Sequence, residues 1–287
     1  MSKPKILLQL DSDPQASVFD GVVAVDAGVD HLFRHGGVAD SQVRDLVFGT
    51  IFTRGGDDLA STAIFVGGSD VAVGERLLSA VRKTFFGPMR VSMMLDSNGA
   101  NTTAAAAVLA AGKHVELRGA QVLVLAATGP VGSRVVRLLA AEGAAVRVAS
   151  RDLERARQVC EAVRQRVPEA QVSPVAVASS TDAAAALLGV QVVIAAGKPG
   201  VELLSAEGRR SATGLQVAID LSAVPPLGIG GIEVTDKAKE RDGAVCYGAI
   251  GVGGTKMKIH KAAIRQLFTA NDQVFDAEEI YQIGRSM

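Results

Sequence analysis

The residues best suited to chemistry form a glycine-containing turn between two strand-like segments. Residues 127–132 read A-T-G-P-V-G, where the dinucleotide-binding fingerprint reads G-x-G-x-x-G. An apolar run precedes the turn, a helical pattern follows it, and a second apolar run begins at Val146. In such a β-α-β unit, backbone N–H groups at the start of the helix bind a pyrophosphate. The predicted cofactor-binding residues of this turn are Thr128, Gly129, Pro130, Val131 and Gly132.

Each position of the turn has a physical role in this interpretation. Gly129 lacks the side chain that would obstruct a phosphate, and Gly132 lets the helix pack close to the strand. Pro130 suits the first helical position, where its missing N–H would have no partner. Ala127 replaces the first glycine of the fingerprint, which alanine can do if its φ stays negative. A plain glycine turn in an α/β core is the alternative.

The end of the second strand distinguishes the two nicotinamide dinucleotides. NAD sites usually place an acidic residue there to bind the ribose 2′-OH. This chain instead has Ser150 and Arg151, a hydroxyl and a guanidinium that suit a 2′-phosphate. We therefore predict NADP as the cofactor, while the adjacent Asp152 keeps NAD open as a second one. The alternative for Arg151 is an ordinary surface arginine at a helix start.

Several further polar turns follow strand-like runs. They read GGSD, DSNGANTT, GKPG and DLSAVPPLGIGGIEVTD. Ligands of open parallel sheets bind at the carboxyl ends of the strands, so we expect these loops to line one cleft. Within GKPG, Gly197 and Lys198 are assigned to cofactor binding. Taken singly, such loops can also be simple turns.

Short apolar runs alternate with helical patterns along the chain, which indicates parallel α/β structure in two domains. A helix is expected from Ser17, a near capping box with Asp20, to Gly28. We predict an α/β substrate domain over 1–107, a Rossmann-type domain over 108–254, and C-terminal helices over 255–287 that pack back on the first domain. The predicted strands are Ile6–Leu10, Thr62–Gly68, Arg90–Leu95, Val122–Ala126, Val146–Ala149, Val172–Val177, Val190–Ala195, Gln216–Ile219 and Ala244–Tyr247.

The composition excludes several classes of function. Of 287 residues, 48% are apolar, and 30 basic residues balance 30 acidic ones, so no net charge attracts nucleic acid or an anionic membrane. Aromatic residues are only 4% and Trp is absent, which argues against base stacking. The N-terminus turns acidic too early for a signal peptide, and no apolar run approaches a membrane span. We expect a cytoplasmic protein.

No metal site is predicted. Cys160 and Cys246 have neither metal nor redox spacing, so we expect reduced, structural thiols. Hydrolase and kinase motifs are absent as well, so the chemistry must come from the cofactor, which means hydride transfer. Each of the four histidines is expected to be structural or on the surface: His31, His35, His114 and His260.

Seven sequence blocks carry a family resemblance that covers the chain from near residue 5 to near residue 282. They read SVFDGVVAVDAG, STAIFVGG, LDSNGANTTAAAA, TGPVGSR, AVPPLGIGGIEVTDKAKE, GGTKMKIH and VFDAEEIY. Together they resemble the methylene-tetrahydromethanopterin dehydrogenases of methylotrophic bacteria. The resemblance implies an NADP-linked, trimeric enzyme that oxidises the N5,N10-methylene group of a tetrahydromethanopterin carrier to the methenyl cation. Because two nitrogens stabilise that cation, the reaction needs no general base, only alignment in a dry cleft.

The resemblance also implies roles for individual residues. Asp20 is expected to contact the pterin ring, and Lys256 to lie beside the reacting ring as a polar contact or an electrostatic modulator. A lysine near a developing cation is unfavourable unless its charge lies off-axis or its pKa is depressed. Asp96, Ser97 and Asn98 are expected to line the cleft. Members of the family carry glycine at the position of Ala127, so a slightly wider turn is expected here.

Alternatives remain at this level. The same reaction on methylene-tetrahydrofolate is the nearest, because the pterin head groups are alike. Cyclohydrolase activity on the methenyl product would need a water-activating group near Lys256, and the sequence shows none. A non-catalytic NADP sensor is the alternative from another class. Asp20 could also be simply an acid in a helical first turn, and Lys256 a solvated helix lysine.

Overall fold

The computed structural model describes residues 3–287, which fold into two compact units. The first unit contains the chain up to Thr102 together with Met257–Met287, and the second contains Thr103–Lys256. Both division points fall within helices and lie a few residues from the predicted domain boundaries. Each unit is built on a parallel sheet with helices packed against it, so the predicted α/β class is confirmed.

The first unit contains a five-stranded sheet in which every pairing is parallel. Its strands, numbered along the chain, are β1 (Ile6–Asp11), β2 (His31–His35), β3 (Thr62–Gly67), β4 (Ser92–Leu95) and β12 (Val274–Phe275). Their order in the sheet is β12-β4-β3-β1-β2. The helices are α1 (Val18–Asp26), α2 (Asp40–Ile51), α3 (Val71–Thr84) and α10 (Ala277–Arg285), while α4 (Ala100–Gly112) and α9 (Ala249–Gln266) cross the division between the units.

The central strands and the first helix are where the sequence predicts them. Ser17 caps α1 by accepting a hydrogen bond from the N–H of Asp20, and Gly28 follows the helix with a φ of +87°. The sequence analysis missed the two edge strands. β2 reads HLFRH and is largely exposed, and β12 is only two residues long. Both depend on pairing with a neighbouring strand rather than on an apolar pattern of their own.

The core of the first unit lies between the central strands and helices α2 and α3. All six residues of β3 are buried, as expected for a strand covered on both faces. Apolar side chains of α2 and α3 recur at helical spacing toward the sheet, so burying them fixes both helices. The buried residues of this core include Leu8, Leu10, Val43, Val47, Ile51, Ile64, Val66, Leu77, Val81, Met93 and Leu95.

The second unit contains a seven-stranded sheet. Its strands are β5 (Gln121–Leu125), β6 (Ala145–Ser150), β7 (Val172–Ala176), β8 (Val192–Ala195), β9 (Val217–Asp220), β10 (Lys239–Arg241) and β11 (Ala244–Tyr247). The order is β10-β11-β9-β8-β5-β6-β7, parallel except for the pairing of β10 with β11. Helices α5 (Pro130–Ala141), α6 (Leu153–Arg166), α7 (Ser180–Ala186) and α8 (Ala206–Arg210) complete the unit. The predicted strands are confirmed, and only the charged three-residue β10 was missed.

The turn from β5 into α5 differs in detail from the fingerprint. Ala127 is fully buried and its φ is not positive, whereas the preceding Ala126 has a φ of +53°. A Cβ on Gly132 would lie 2.7 Å from the carbonyl oxygen of Ala126, so the helix approaches the turn too closely for any side chain there. The condition for alanine at position 127 is therefore met, and the left-handed residue is its neighbour.

This geometry predicts opposite effects for two glycine substitutions. Alanine in the left-handed conformation costs about 1–2 kcal/mol, and glycine costs about 0.5–1 kcal/mol through unfolded-state entropy. Ala126→Gly should therefore be as stable as the wild type or up to about 1 kcal/mol more stable. Ala127→Gly, which restores the fingerprint, should lose about 1 kcal/mol because it removes a buried methyl group without relieving strain. Urea denaturation measures both, and greater stability of Ala127→Gly than of Ala126→Gly would contradict this turn geometry.

Candidate functional site

The glycine-containing turn lies where the chain reverses its direction across the second sheet. From β5 the chain adds β6 and β7 on one side, and then crosses to place β8 on the other side of β5. Such a switch point leaves a crevice at the carboxyl ends of the two central strands. A Cβ on Gly129 would lie 3.8 Å from the carbonyl oxygen of Ala196, which follows β8. The turn and the loop after β8 therefore border the same crevice.

The start of α5 has the features of a pyrophosphate site. Gly129 is the N-cap, Pro130 occupies the first helical position, and no side chain caps the helix. A Cβ on Gly129 would make ordinary van der Waals contact with the carbonyl oxygens of Ala126 at 3.6 Å and Ala196 at 3.8 Å, so glycine leaves the space of one side chain unfilled here. Thr128 and Val131 are partly exposed, and Gly132 is buried against the strand. These residues fit a dinucleotide, because backbone donors and the positive end of a twelve-residue helix face that space.

The predicted 2′-phosphate residues lie at the end of β6, with Ser150 as its last residue and Arg151 directly after it. The Ser150 side chain is largely buried and accepts a hydrogen bond from the N–H of Asp152, whereas Arg151 is exposed. Asp152 caps α6, because one of its carboxylate oxygens accepts the N–H groups of Glu154 at 2.9 Å and Arg155 at 3.2 Å. The acidic residue that kept NAD open is thus engaged in starting a helix.

The loop after β8 carries the two remaining predicted cofactor residues. Lys198 is exposed, and Gly197 is partly buried. A Cβ on Gly197 would lie 2.8 Å from a methyl carbon of Leu203, so the loop packs too closely there for a side chain. The structure therefore brings Gly197 and Lys198 to the same crevice as the turn after β5.

Asp220, at the end of β9, was not singled out in the sequence. It is fully buried and accepts the N–H groups of Ser222 and Ile229, each at 2.9 Å. Burial raises the pKa of this carboxyl above its ordinary value, and the backbone hydrogen bonds act in the opposite direction. The carboxyl group fixes both ends of the glycine-rich loop after β9, so its role is to shape that wall of the crevice.

The first sheet contains a second switch point. From β1 the chain adds β2 on one side and β3 on the other, so β1 and β3 border a crevice of their own. The loops after these strands are tied together, because the Asp13 carboxylate accepts the N–H and the hydroxyl of Ser69 at 3.0 and 2.8 Å. This is the edge of the first unit at which a ligand of its own is expected.

Asp20 lies at this edge, in the first turn of α1. The carboxylate is partly buried beside Gly67, where a Cβ would lie 3.5 Å from one of its oxygens. Burial raises the pKa of the Asp20 carboxyl above its ordinary value. His260 counteracts this, Asp96 and Asp11 raise the pKa further, and the Ser17 hydrogen bond lowers it. A carboxyl held in this environment can accept hydrogen bonds from an amino or N–H group of a ligand.

The three residues predicted to line the cleft after β4 have different surroundings. Asp96 and Ser97 are both buried, and Ser97 donates its hydroxyl to the carbonyl oxygen of Gly67 at 2.8 Å. Asp96 accepts the N–H of Asn101 and both the N–H and the hydroxyl of Thr102. Only Asn98 is exposed, with a φ of +54°. Asp96 and Ser97 therefore shape the edge from inside the unit, and Asn98 is on its surface.

His260 also lies in this region, although the sequence analysis expected only a structural or surface histidine and did not connect it with the site. The side chain is almost completely buried, and its Nδ1 lies 3.8 Å from an oxygen of Asp96. Its ring stacks on Phe65, with centroids 5.6 Å apart. The expectation of a structural or surface histidine did not anticipate a position among carboxylates. The only sequence signal is its place four residues after Lys256 on one helix.

Lys256 and the other histidines complete the predicted set. Lys256 is partly buried in α9 at the division between the units. His31 and His35 are four residues apart, but they lie on a strand, β2. In a strand that spacing spans about 13 Å, so the two side chains cannot bind the same metal ion. Within residues 3–287, no group of three or more His, Cys, Asp or Glu side chains could hold a metal ion. No helix in the same range is long and apolar enough to cross a membrane.

Comparison with solved structures shows the fold. A quinate dehydrogenase from Corynebacterium glutamicum in complex with NAD is 14% identical, with a TM-score of 0.54 over 99% of this chain and 100% of that one. A 5-ketofructose reductase of Gluconobacter sp. strain CHM43 is 15% identical, with a TM-score of 0.53 over 99% of each chain. At these identities the likeness supports the Rossmann-type architecture.

Sequence comparison shows the family. Residues 18–98 match the model of the N-terminal region of methylene-tetrahydromethanopterin dehydrogenase. The "Bifunctional protein MdtA" of Methylorubrum extorquens is 48% identical over 100% of both chains. An NAD(P)-dependent methylenetetrahydromethanopterin dehydrogenase of the same organism is 30% identical over 97% of each chain. The chain therefore belongs to the methylene-tetrahydromethanopterin dehydrogenase family.

Proposed function

We propose that this protein is an NADP-dependent methylene-tetrahydromethanopterin dehydrogenase. It transfers hydride reversibly from the N5,N10-methylene carbon of the carrier to the cofactor, and the methenyl cation is the product. The observation that carries the proposal, beside family membership, is the partly buried Asp20 carboxyl at the switch point of the first sheet. A carboxyl in that place suits the amino and N–H groups of a pterin ring.

The second unit contains the residues that would hold the cofactor. The missing side chain at Gly129 and the uncapped start of α5 suit the pyrophosphate. When bound, the nicotinamide supplies the hydride acceptor. Gly197 and Lys198 border the same crevice, and Asp220 holds the neighbouring loop, so the chain's part is to bind and orient. The predicted residues of the turn that carry this role are Thr128, Gly129, Pro130, Val131 and Gly132.

The hydride transfer requires alignment of the two reactants rather than proton transfer by the protein. Two nitrogen lone pairs stabilise the cation that remains when hydride leaves the methylene carbon, so no general base is required. Asp20 fixes the ring, and Asn98 is placed on the surface beside the same edge. Lys256 contacts a polar atom of the substrate with its charge away from the reacting carbon, since an ammonium group close to the developing cation would oppose the reaction.

The residues at the end of β6 support NADP over NAD. Arg151 is exposed, so its guanidinium is available to a 2′-phosphate, whereas the neighbouring Ser150 is buried and its hydroxyl already accepts the N–H of Asp152. The carboxylate of Asp152 already accepts two backbone N–H groups of α6. It is therefore a weaker candidate for binding the ribose 2′-OH of NAD.

The protein further acts, in this proposal, as a cytoplasmic homotrimer in formaldehyde oxidation by methylotrophs. Self-association is supported by an exposed apolar stripe on α1, where Val18, Val22 and Val25 are 70%, 55% and 62% exposed. Residues at this spacing lie on one face of a helix. Methylene-tetrahydrofolate is the second candidate substrate, because the pterin head groups of the two carriers, which Asp20 would contact, are alike.

The direct test measures absorbance of the reduced nicotinamide with purified protein. Methylene-tetrahydromethanopterin and methylene-tetrahydrofolate are each paired with NADP and with NAD. Fast reduction with the methanopterin carrier and NADP is the expected result. Turnover on the folate carrier alone would reassign the substrate, and no turnover in any pairing, with pterin binding also absent, would leave an NADP sensor.

Asp20→Asn separates the binding role of this residue from its effect on stability. Because folding raises the pKa of Asp20, the ionised form costs the folded state free energy above that pKa. The cost vanishes as the pH falls below the unfolded value of about 3.9. Asp20→Asn should therefore raise the melting temperature at neutral and alkaline pH, with the gain shrinking toward about pH 4. The same variant should raise the KM for the pterin at least about tenfold by losing an acceptor.

Asp26→Asn is the matched control, because Asp26 is exposed in the last turn of the same helix and its one ion pair, with Lys261 at 3.8 Å, is on the surface, where such pairs contribute little. It should leave the KM for the pterin unchanged. An Asp20→Asn variant with wild-type KM would contradict the proposed pterin contact, whatever its melting temperature.

Arg151→Ala tests the cofactor preference. Loss of a charge-assisted contact to the 2′-phosphate should raise the KM for NADP about 10- to 100-fold and leave the KM for NAD within about threefold. Arg157→Ala is the control, since Arg157 is exposed on α6 and pairs with Glu154 at 3.3 Å. Equal effects of Arg151→Ala on both cofactors would contradict a 2′-phosphate site at this position.

A further inference from the structure

His260 is a buried histidine beside the carboxylate of Asp96, and the proposed mechanism gives it no role. His260 is 1% exposed in the middle of α9. Its ring stacks on Phe65 with 20° between the planes, and the ring of Phe19 lies 6.5 Å away at 39°. Aromatic rings from β3 and α1 thus limit the orientations open to the imidazole.

Asp96 gives that imidazole a fixed negative partner. It is 1% exposed and accepts three hydrogen bonds at the start of α4: the N–H groups of Asn101 and Thr102, each at 3.0 Å, and the hydroxyl of Thr102 at 2.6 Å. These three donors hold the Asp96 side chain in one position. Its second oxygen lies 3.8 Å from Nδ1 of His260, close enough for charge attraction and too far for a hydrogen bond. A carboxylate at this distance attracts positive charge on the imidazole ring.

Asp20 is the group on which this arrangement acts. Burial and the nearby carboxylates of Asp96 and Asp11 all raise the pKa of Asp20, and His260 is the strongest influence in the opposite direction. Without His260, Asp20 would shift further toward its neutral form. A neutral carboxyl is a poorer acceptor for the amino and N–H groups of a ring.

We propose that His260, held beside the buried carboxylate of Asp96, is a positioning residue that keeps the Asp20 carboxylate charged for the pterin. Strand β3 brings the two groups together, because Phe65 stacks on the imidazole and Gly67 lies beside the Asp20 carboxylate. This inference rests on the proposed function, since Asp20 is the pterin contact there. The acidic side chains around His260 come from four elements: Asp11 ends β1, Asp20 is in α1, Asp96 follows β4, and Asp276 precedes α10. The side-chain amide of Asn101 donates a hydrogen bond to Asp276 at 3.0 Å. Lys256 is one helical turn before His260 in α9.

The first test is His260→Gln, which keeps a polar side chain of similar length and removes the imidazole charge. At neutral pH the KM for the methylene pterin should rise about tenfold, while kcat at saturating substrate stays within about threefold. The rise of KM on acidification should begin about one pH unit higher than in the wild type, because Asp20 then protonates more easily. His31→Gln, on the exposed strand β2, is the control and should leave the KM–pH profile unchanged.

A double-mutant cycle separates this role from a merely structural one. In the Asp20→Asn background, His260→Gln should have no further effect on the KM, because the group it acts on is gone. If His260→Gln raises the KM by the same factor in both backgrounds, or leaves the KM–pH profile in place, the proposal is overturned.

A measurement on proteins that retain His260 covers the case in which His260→Gln does not fold. The imidazole signals of the wild type and of Asp20→Asn are titrated by NMR. Since coupling between two titrating groups is reciprocal, the midpoint of the His260 titration should be lower in Asp20→Asn. Equal midpoints would overturn the proposal. This readout needs no substrate, so it is independent of the turnover assay, whose failure would count against the proposed function instead.

Discussion

Buried carboxylates at the carboxyl ends of parallel strands hold the loops of both candidate sites in place. Asp11 ends β1, Asp96 follows β4 and Asp220 ends β9. Each accepts two backbone N–H groups, at 2.9–3.0 Å, from the loop or helix that comes next. A chain that leaves a dry sheet exposes backbone donors that must find acceptors, and an ionised carboxylate is the strongest one available. The positions of the exposed site residues depend on these interactions.

The same interaction has an electrostatic consequence in the first unit. Asp11 and Asp96 place negative charge near Asp20, and each raises the pKa of that carboxyl beyond the effect of burial. A buried charge is tolerated only if it is paired or fully hydrogen-bonded, so a counter-charge in this region is expected on physical grounds. His260 supplies that group from the opposite end of the chain. The anchoring of the loops and the charge of the ligand contact are therefore parts of one electrostatic arrangement.

Both sheets place their candidate sites where the chain crosses from one side of the first strand to the other. In the first unit the chain crosses from β2, on one side of β1, to β3 on the other side. In the second unit it crosses from β7, on the outer side of β6, to β8 on the other side of β5. The two sites differ in what they present at that edge. The first presents the partly buried carboxyl group of Asp20, which suits the donors of a ring, whereas the second presents glycine backbone and basic side chains, which suit phosphates. This difference between the two sites fits a family of dehydrogenases that bind a pterin and a nicotinamide cofactor.

The sequence by itself determined the features that depend on neighbouring residues. Apolar runs predict the central strands, Ser17 predicts the start of α1, and the spacing of Gly129 and Gly132 predicts the turn into α5, because each signal spans only a few residues. Tertiary structure alone decided that Ala126 rather than Ala127 is left-handed, that Asp96 is directed inward, and that β2 and β12 pair at the edges. It also brought His260 to carboxylates far away in the chain. These outcomes depend on which distant groups are buried together, and no local pattern records that.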